Sequence, residues 1–406
     1  MTKIAIIGFG VVGSGVAEVF YKNRQSIEKK AGRELDIKYI VDVRSLEGTV
    51  WADKAGTYEQ ALADPEVGVM IETIGGLTPA YDFSKRALLA GKHVITSNKE
   101  LVAAHGAELL GIAKENNVNY LFEASVGGGI PIIHPLYQCL GAGEVEEIAG
   151  ILNGTTNFIM TRMFRDKMSF EQALGLAQDN GYAERNPAAD VEGTDACRKI
   201  CILASIAFGS HVYPDNIHTE GIAALTAEDV AAAASAGYVI KLIGRAKKTE
   251  KGLMVMVSPA LISQESQLAN VSDVFNGILV RSSDTGDVVF YGRGAGKLPT
   301  AAAVISDLVD AMKEGGHIDS LGWEDSGRSN VADWRDDVTR MMFRTSGLGR
   351  TEIQRIFGTV EPIQGAAQEE RAFLTEPVSG RQTEEWIRLA KAAGAEVRSA
   401  IRVLEY

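Results

Sequence analysis

The chain has 406 residues, of which 46% are hydrophobic and 23% are charged, a composition typical of a globular protein of two or three domains. Its formal net charge of −12 argues against a general nucleic-acid binder, which needs a concentrated basic face. No segment approaches the about 18 apolar residues of a membrane span, and the N-terminus reads as a strand instead of a signal peptide. We therefore expect a cytoplasmic protein.

The cysteine and histidine patterns exclude two further classes of protein. The three cysteines (Cys139, Cys197 and Cys201) form no C-x-x-C pair, and the six histidines form no H-x-x-x-H pattern. A disulfide framework and a zinc enzyme are therefore not expected.

The chain begins with an apolar strand at residues 3–7 that runs directly into the motif G-x-G-x-x-G. In that order of elements Gly8 permits a tight turn, Gly10 lets the backbone approach a pyrophosphate, and Gly13 lets the next helix pack on the strand. The pyrophosphate then lies at a helix N-terminus, where unpaired N–H groups favour an anion. The motif predicts that a dinucleotide is bound by Gly8, Phe9, Gly10, Val12 and Gly13.

Strand and helix patterns then alternate to about residue 125, with further strands at 37–43 and 67–73. This alternation predicts a Rossmann-type α/β domain with a parallel sheet. Asp42, at the end of the second strand, is placed to accept a hydrogen bond from a ribose 2′-OH of NAD, whereas Arg44 could hold the 2′-phosphate of NADP. The sequence favours NADP, and NAD stays possible.

Polar residues follow the next strands of this sheet. Thr73 ends the third strand, and Asn98 and Lys99 lie at the end of the fourth. Because ligands bind at the carboxyl ends of parallel strands, we expect these three side chains to contact the nicotinamide or the substrate. Further along, the segment E-A-S-V-G-G-G-I-P at residues 123–131 offers backbone carbonyls that could coordinate a hard cation, and a plain domain hinge is the alternative.

Two polar segments occupy residues 151–159 and 181–199. We expect Thr194 or Asp195 in the second segment to cap a long apolar helix that ends near Gly209. Asp195 and Lys199 are four residues apart on that helix and so share a face. The alternative is an ordinary helix ion pair, worth about 0.3–0.5 kcal/mol. The acidic residues between 184 and 195 could bind a cationic amine.

At this point the chain resembles the homoserine dehydrogenase family. The resemblance rests on motifs in family order: G-x-G-x-x-G, E-T-x-G-G, G-K-H-V-x-T-x-N-K, E-A-S-V-G-G-G-I-P, N-G-T-T-N, G-Y-A-E and D-x-x-G-x-D-A-x-x-K, with G-R-G-A-G-K-L-P-T-A at 292–301. That last segment, which contains Gly294, looks like the return of the chain to the nucleotide domain.

The resemblance implies the reversible NAD(P)-linked interconversion of L-homoserine and L-aspartate 4-semialdehyde, a step toward threonine, isoleucine and methionine. It implies that Lys199 gives and takes the proton at the substrate oxygen, with Lys99 close to the reacting carbon. It assigns substrate binding to Glu184, Asp190, Asp195, Gly154 and Thr155, and a sodium site to Glu123, Val126, Gly128 and Ile130. Asn186 stands where the family often has Asp, so one negative charge is missing there.

The C-terminal region has the pattern β-α-β-β-α-β, which resembles the small regulatory ACT domain. The D-x-P-G turn of that domain is absent, and residues 345–349 (T-S-G-L-G) stand in its place. We therefore expect a degenerate ACT-like module that serves assembly and not threonine sensing. The predicted domains are a dinucleotide-binding domain (1–130 with 292–315), an α+β substrate-binding and dimerisation domain (131–291), a linker (316–333) and a small ACT-like α+β domain (334–406).

Two other classes of protein compete with this interpretation. Another Rossmann oxidoreductase of a small amino-acid-like aldehyde would normally need a cysteine nucleophile or other phosphate contacts. A non-catalytic NAD(P)-binding regulator need not keep Glu184, Asp190, Asp195 and Lys199 together. The resemblance also implies a homodimer or a higher homo-oligomer.

Overall fold

The computed structural model describes residues 1–140, 143–313, 323–327, 330–364 and 370–406. By its contacts the chain divides into two compact units. Unit 1 comprises Met1–Val145, Cys201–Asp215 and Gly292–Arg328, and unit 2 comprises Glu146–Ile200, Asn216–Tyr291 and Ser329–Tyr406. Among the described residues, no helix is long and apolar enough to cross a membrane.

The first part of the chain alternates strands and helices as predicted. Its elements are β1 (Thr2–Ile7), α1 (Val11–Ala31), β2 (Leu35–Val41), α2 (Tyr58–Ala63), β3 (Val67–Glu72), α3 (Ala80–Leu89), β4 (His93–Thr96), α4 (Lys99–Glu115) and β5 (Tyr120–Leu121). The strands form a parallel sheet in the order β2-β1-β3-β4-β5. Strands of such a sheet are covered on both faces, which explains why β1 and β3 are nearly continuous apolar runs.

The middle part of the chain contains longer antiparallel strands. Its elements are β6 (Val145–Ile151), α5 (Gly154–Asp166), α6 (Phe170–Asp179), α7 (Ala188–Val191), α8 (Thr194–Phe208), β7 (His218–Thr219), α9 (Ala227–Ser235), β8 (Tyr238–Thr249), β9 (Gly252–Ser263), β10 (Phe275–Ser282), β11 (Gly286–Arg293) and α10 (Lys297–Met312). Side chains of α10, such as Ala301 and Val304, share one apolar core with Val16 and Phe20 of α1. The return segment therefore packs within unit 1.

The last part of the chain contains the predicted strands and helices together with two additional two-residue strands. Its elements are β12 (Val338–Thr339), β13 (Met341–Ser346), α11 (Arg350–Phe357), β14 (Val360–Ile363), β15 (Glu370–Thr375), β16 (Val378–Ser379), α12 (Gly380–Ala392) and β17 (Glu396–Leu404). The described part of unit 2 has a ten-stranded sheet with the order β11-β10-β6-β8-β9-β17-β13-β15-β14, and β7 pairs with β9 off this path. Because β17 pairs in parallel with β9, the C-terminal strands continue the sheet of the preceding segment.

Of the predicted linker 316–333, the structure describes residues 323–327 and 330–333. Within it Trp323 is buried, its ring contacts Phe122 and His211, and its Nε1 donates to His211 Nδ1 at 2.8 Å. This part of the segment belongs to the core of unit 1. The predicted domain boundaries and the ACT-like character of 334–406 stay predictions.

A buried ion cluster attaches β13 to α9 inside unit 2. The Arg344 guanidinium donates to Asp229 Oδ1 at 2.6 Å and to Glu370 Oε2 at 2.9 Å. The side chains of Arg344 and Asp229 are only 4% and 1% exposed. Removing one partner of such a pair leaves an uncompensated buried charge.

Replacing Arg344 by alanine is therefore expected to lower the free energy of unfolding by about 3–5 kcal/mol, measured by urea denaturation. The matched control is Arg388→Ala, since Arg388 forms an exposed pair with Glu385 on α12 and should change stability little. Equal midpoints for the two variants would show that the cluster is not stabilising.

Candidate active site

The glycine loop between β1 and α1 has room for a ligand on one side only. Gly8 has φ +92°, and a Cβ there would lie 2.9 Å from the Thr73 carbonyl oxygen. A Cβ on Gly13 would lie 2.1 Å from the Gly8 oxygen, whereas a Cβ on Gly10 would have nothing within 4 Å. The loop thus requires glycine at two positions for its own packing, and its open side at Gly10 suits a pyrophosphate at the N-terminus of α1.

Thr73 secures this loop. Its hydroxyl donates to the Gly8 oxygen at 2.7 Å, and its N–H donates to the Ile7 oxygen at 2.8 Å. The preceding Glu72, which the sequence analysis did not single out, is buried, and its carboxylate accepts from Ile74 N and Thr96 Oγ1, both at 2.6 Å. Burial raises the pKa of the Glu72 carboxyl. The only sequence signal for Glu72 was its place in E-T-x-G-G.

Asn98 and Lys99 lie at the start of α4. Asn98 is buried, its Oδ1 accepts from Leu101 N at 3.1 Å, and its Nδ2 donates to the Gly76 oxygen at 2.6 Å. Its amide therefore caps the helix and holds the loop after β3. Lys99 is the first residue of α4 and is half-buried.

Asp42 and Arg44 bind one another and the glycine loop. Asp42 Oδ2 accepts from Phe9 N at 2.5 Å, and Arg44 Nε donates to Asp42 Oδ1 at 2.8 Å. Arg44 Nη2 also donates to the Phe9 oxygen at 2.7 Å. Hydrogen bonds from the Arg44 side chain hold the pKa of Asp42 well below its usual range. The Arg44 side chain is 65% exposed, so it presents a cation beside the loop.

Glu123, predicted as a cation ligand, directs its buried carboxylate at backbone donors. It accepts from the N–H groups of Ile132 at 2.7 Å, Ile133 at 3.0 Å and His134 at 2.8 Å, and from His134 Nδ1 at 2.6 Å. Burial alone lowers the pKa of His134, but hydrogen bonds to Asp310 and to Glu123 outweigh it and raise that pKa to about 10. The carboxylate is therefore occupied within the protein.

The loop that carries the other predicted cation ligands contains two glycines with positive φ, Gly127 and Gly128. A Cβ on Gly128 would lie 2.5 Å from the Gly294 oxygen, so the return segment lies against this loop. Val126 and Ile130 are buried beside it. Backbone oxygens of such a loop are suitable ligands for a hard cation.

In unit 2, α8 begins at Thr194, so Thr194 and Asp195 lie in its first turn and do not precede it as caps. Asp195 and Lys199 share one face of the helix, as predicted. Lys199 Nζ donates to Asp195 Oδ2 at 2.7 Å and to the Leu152 oxygen at 2.8 Å. Lys199 is 7% and Asp195 4% exposed. An exposed helix pair is therefore excluded, because both charges are withdrawn from water and depend on one another.

Asn153 joins the two aspartates, and the sequence analysis missed it. Its Nδ2 donates to Asp190 Oδ1 at 2.6 Å and to Asp195 Oδ2 at 2.8 Å, while its Oδ1 accepts from Thr156 N and caps α5. One amide thus holds two carboxylates that would otherwise repel each other. The sequence feature that could have indicated Asn153 is its position as a capping residue directly before the helix in N-G-T-T-N.

The other predicted substrate residues are Thr155, Gly154 and Glu184, and they differ in their exposure to solvent. Thr155 Oγ1 donates to the Tyr182 oxygen at 2.7 Å, which attaches α5 to the loop that carries Glu184. A Cβ on Gly154 would lie 2.8 Å from the Val274 oxygen, so only glycine fits there without a shift. Glu184 is exposed, and its backbone oxygen accepts from Gln178 Nε2 at 3.1 Å.

Comparison with known proteins agrees with these features. Residues 8–123 match a family model described as "Homoserine dehydrogenase, NAD binding domain", and residues 131–309 match one described as "Homoserine dehydrogenase". The homoserine dehydrogenase of Synechocystis sp. is 41% identical over 323 residues, which are 76% of this chain and 73% of that relative.

Solved structures of homoserine dehydrogenases are also similar to this chain. A homoserine dehydrogenase from Thiobacillus denitrificans has a TM-score of 0.92 and 33% identity, covering 100% of this chain and 98% of that one. A hyperthermophilic archaeal homoserine dehydrogenase in complex with NADPH has a TM-score of 0.64 and 26% identity, covering 76% of this chain and 97% of that one.

The dinucleotide loop, the parallel sheet and the buried lysine–carboxylate pair define an NAD(P)-dependent oxidoreductase. The chain belongs to the homoserine dehydrogenase family. Its reaction is the interconversion of L-homoserine and L-aspartate 4-semialdehyde in amino-acid biosynthesis, and the two competing classes are not supported.

Replacing Gly10 by alanine should weaken NADPH binding by about tenfold or more, since the new Cβ occupies the open side of the loop without a clash inside the protein. Fluorescence titration measures this affinity, and the melting temperature should stay near that of the parent. The control is Gly111→Ala, an open position on α4 that should leave NADPH affinity unchanged. Unchanged NADPH affinity in the Gly10 variant would contradict the assignment.

Replacing Asn153 by serine separates capping from carboxylate bridging. Serine can still cap α5, but it lacks the amide N–H groups that hold Asp190 and Asp195. We expect kcat for homoserine oxidation to fall by about tenfold to a hundredfold through misplacement of the two carboxylates. Asn23→Ser on the exposed face of α1 is the control. Parental kcat in the Asn153 variant would show that the bridge has no catalytic role.

Proposed function

We propose that Lys199 transfers the proton at the substrate oxygen. The observation that carries this proposal is the buried hydrogen bond from Lys199 Nζ to Asp195 Oδ2 at 2.7 Å. A bound nicotinamide supplies or accepts the hydride. In aldehyde reduction, the Lys199 ammonium stabilises the negative charge that develops on the oxygen and gives it a proton.

The reverse direction needs the opposite protonation state. In homoserine oxidation the neutral Lys199 amine takes the hydroxyl proton. Because Asp195 favours the ammonium form of Lys199, reduction suits neutral pH and oxidation requires alkaline pH. Asp195 and Asp190, held by Asn153, orient the lysine and the substrate hydroxyl in this proposal.

We further propose that Glu184 holds the substrate ammonium and that Gly154 and Thr155 line the substrate pocket. The exposed position of Glu184 on a loop attached by Thr155 supports a role in capture of a charged group from solvent. We assign Lys99 to the region of the reacting carbon and the nicotinamide. We assign Asn98 and Thr73 to the support of that region, because their side chains donate to the backbone oxygens of Gly76 and Gly8.

We propose NADP as the preferred cofactor. Both carboxylate oxygens of Asp42 are engaged, one by Phe9 N and the other by Arg44, so Asp42 has less capacity to accept from a ribose hydroxyl. The exposed Arg44 guanidinium suits the 2′-phosphate. A sodium ion, if bound, is held by backbone oxygens of Glu123, Val126, Gly128 and Ile130, because the Glu123 carboxylate is already occupied.

The C-terminal segment is proposed to be a degenerate ACT-like module that serves assembly. Its strand order β17-β13-β15-β14, with the two connecting helices, supports this proposal. Its continuity with β9 supports a structural over a sensing role. We propose a homodimer or higher homo-oligomer in the cytoplasm, and the lack of disulfides among the three cysteines favours a reducing compartment.

Replacing Lys199 by alanine should lower kcat by about a thousandfold or more while the Kd for NADPH barely changes, because the lysine acts on the substrate oxygen. Stopped-flow rates and fluorescence titration measure the two quantities. Lys391→Ala on the exposed face of α12 is the control. Equal weakening of NADPH binding in the Lys199 variant would refute its role as proton donor.

Replacing Arg44 by alanine should lower the ratio of kcat/KM with NADP to kcat/KM with NAD by about tenfold or more. Arg44→Lys keeps the charge without the planar fork and should retain part of the preference. If the ratio is the same in all three proteins, Arg44 does not contact the phosphate.

A further inference from the structure

A cavity lies within unit 2, between α5, β8 and the loop after β9. Its volume is about 190 Å³, somewhat larger than an engineered cavity of about 150 Å³ that binds benzene. Within the described ranges, its lining includes none of Asn153, Asp190, Asp195 and Lys199. The cavity is therefore separate from the proposed catalytic groups, and the proposed reaction assigns it no role.

The unusual group in this cavity is Lys241 of β8. It is 4% exposed, and its Nζ donates to Asn157 Oδ1 at 3.0 Å and to the Val271 oxygen at 2.5 Å. These acceptors use two of its three N–H donors, and among the residues described no carboxylate hydrogen-bonds to it. Burial of an ammonium ion without an anionic partner is costly, and burial lowers the pKa of Lys241 to about 8.

A second cation lines the cavity without an acid to neutralise it. Arg165 donates to Ser272 Oγ at 2.9 Å. The nearby Asp273 carboxylate is held by Arg162 Nη2 at 2.5 Å. In the part of the chain that the structure describes, the lining contains no Asp or Glu. The cavity is therefore cationic, and it suits an anion.

Apolar side chains complete the lining. Met160 and Phe164 of α5 and Val239 of β8 border the space beside the two cations. An inorganic anion would leave these surfaces uncovered, whereas a short alkyl chain would cover them.

We propose that this cavity binds a small carboxylate anion with a short apolar chain, its carboxylate paired with Lys241 and Arg165. The bound anion gives Lys241 the partner that the fold does not supply. Binding requires the Lys241 ammonium, so it is strong below pH about 8 and weakens above it. The other charged groups that act on Lys241 are Arg165 and Asp273, and Asp273 is held by Arg162.

The test is ligand-observed NMR titration of the full chain with sodium butyrate. Lys241→Met and Arg165→Gln should each weaken binding by about tenfold or more. The matched control is Lys92→Met, since Lys92 is also buried and donates to the carbonyls of Asp64 and Val67. The control should bind butyrate as the parent does, and Arg165→Gln should keep the parental homoserine turnover, which shows that it is folded.

Four results would overturn the proposal. If butyrate binding by the parent does not saturate, the cavity is not a specific site. If the Arg165 variant binds butyrate with the parental affinity, Arg165 does not contact the anion, and this conclusion holds whether or not the Lys241 variant folds. Tighter binding of inorganic phosphate than of butyrate in parallel titrations removes the carboxylate assignment. Affinity that does not fall as the pH passes about 8 removes Lys241 from the site.

Discussion

The buried pair of Lys199 and Asp195 is the interaction on which the proposed chemistry depends. An ammonium ion withdrawn from water needs an anionic partner, and that partner also keeps the proton on the lysine until the substrate oxygen requires it. Asp195 in turn depends on Asn153, whose amide separates and orients two carboxylates. Gly193, with φ +85°, lets the chain turn between α7 and α8 so that these groups meet.

In unit 1, side-chain hydrogen bonds likewise hold the nucleotide loop in place. The Gly8 oxygen accepts from Thr73, Phe9 N donates to Asp42, and the Phe9 oxygen accepts from Arg44. Side chains that follow β2 and β3, the two strands beside β1, therefore hold the loop without a ligand. Such preorganisation reduces the ordering cost of binding, and it leaves Gly10 as the open side.

Local patterns made much of this structure predictable from sequence. The β-branched strand before G-x-G-x-x-G identified β1 and α1, and the spacing of Asp195 and Lys199 placed them on one helix face. The exact partner of a polar side chain was harder to predict. Asn153 and Asp195 are 42 residues apart, and no local rule joins them.

Tertiary contacts also changed the reading of particular residues. Glu123 was predicted as a cation ligand, and the structure adds a feature that the sequence did not indicate, since its carboxylate accepts from the N–H groups at 132–134. Lys241 gave no signal in an apolar strand, because its burial arises from the packing of α5 on β8. Trp323 lay in a segment read as linker, although its ring fills a core position.

The most direct test of this account is the pH dependence of homoserine oxidation in the parent and in Asp195→Asn. The parental rate should rise toward alkaline pH as Lys199 loses its proton. Without the adjacent carboxylate the ammonium is less favoured, so the rise should move to lower pH, with a reduced maximal rate. A rise at the same pH in both proteins would contradict the role of this pair in proton transfer.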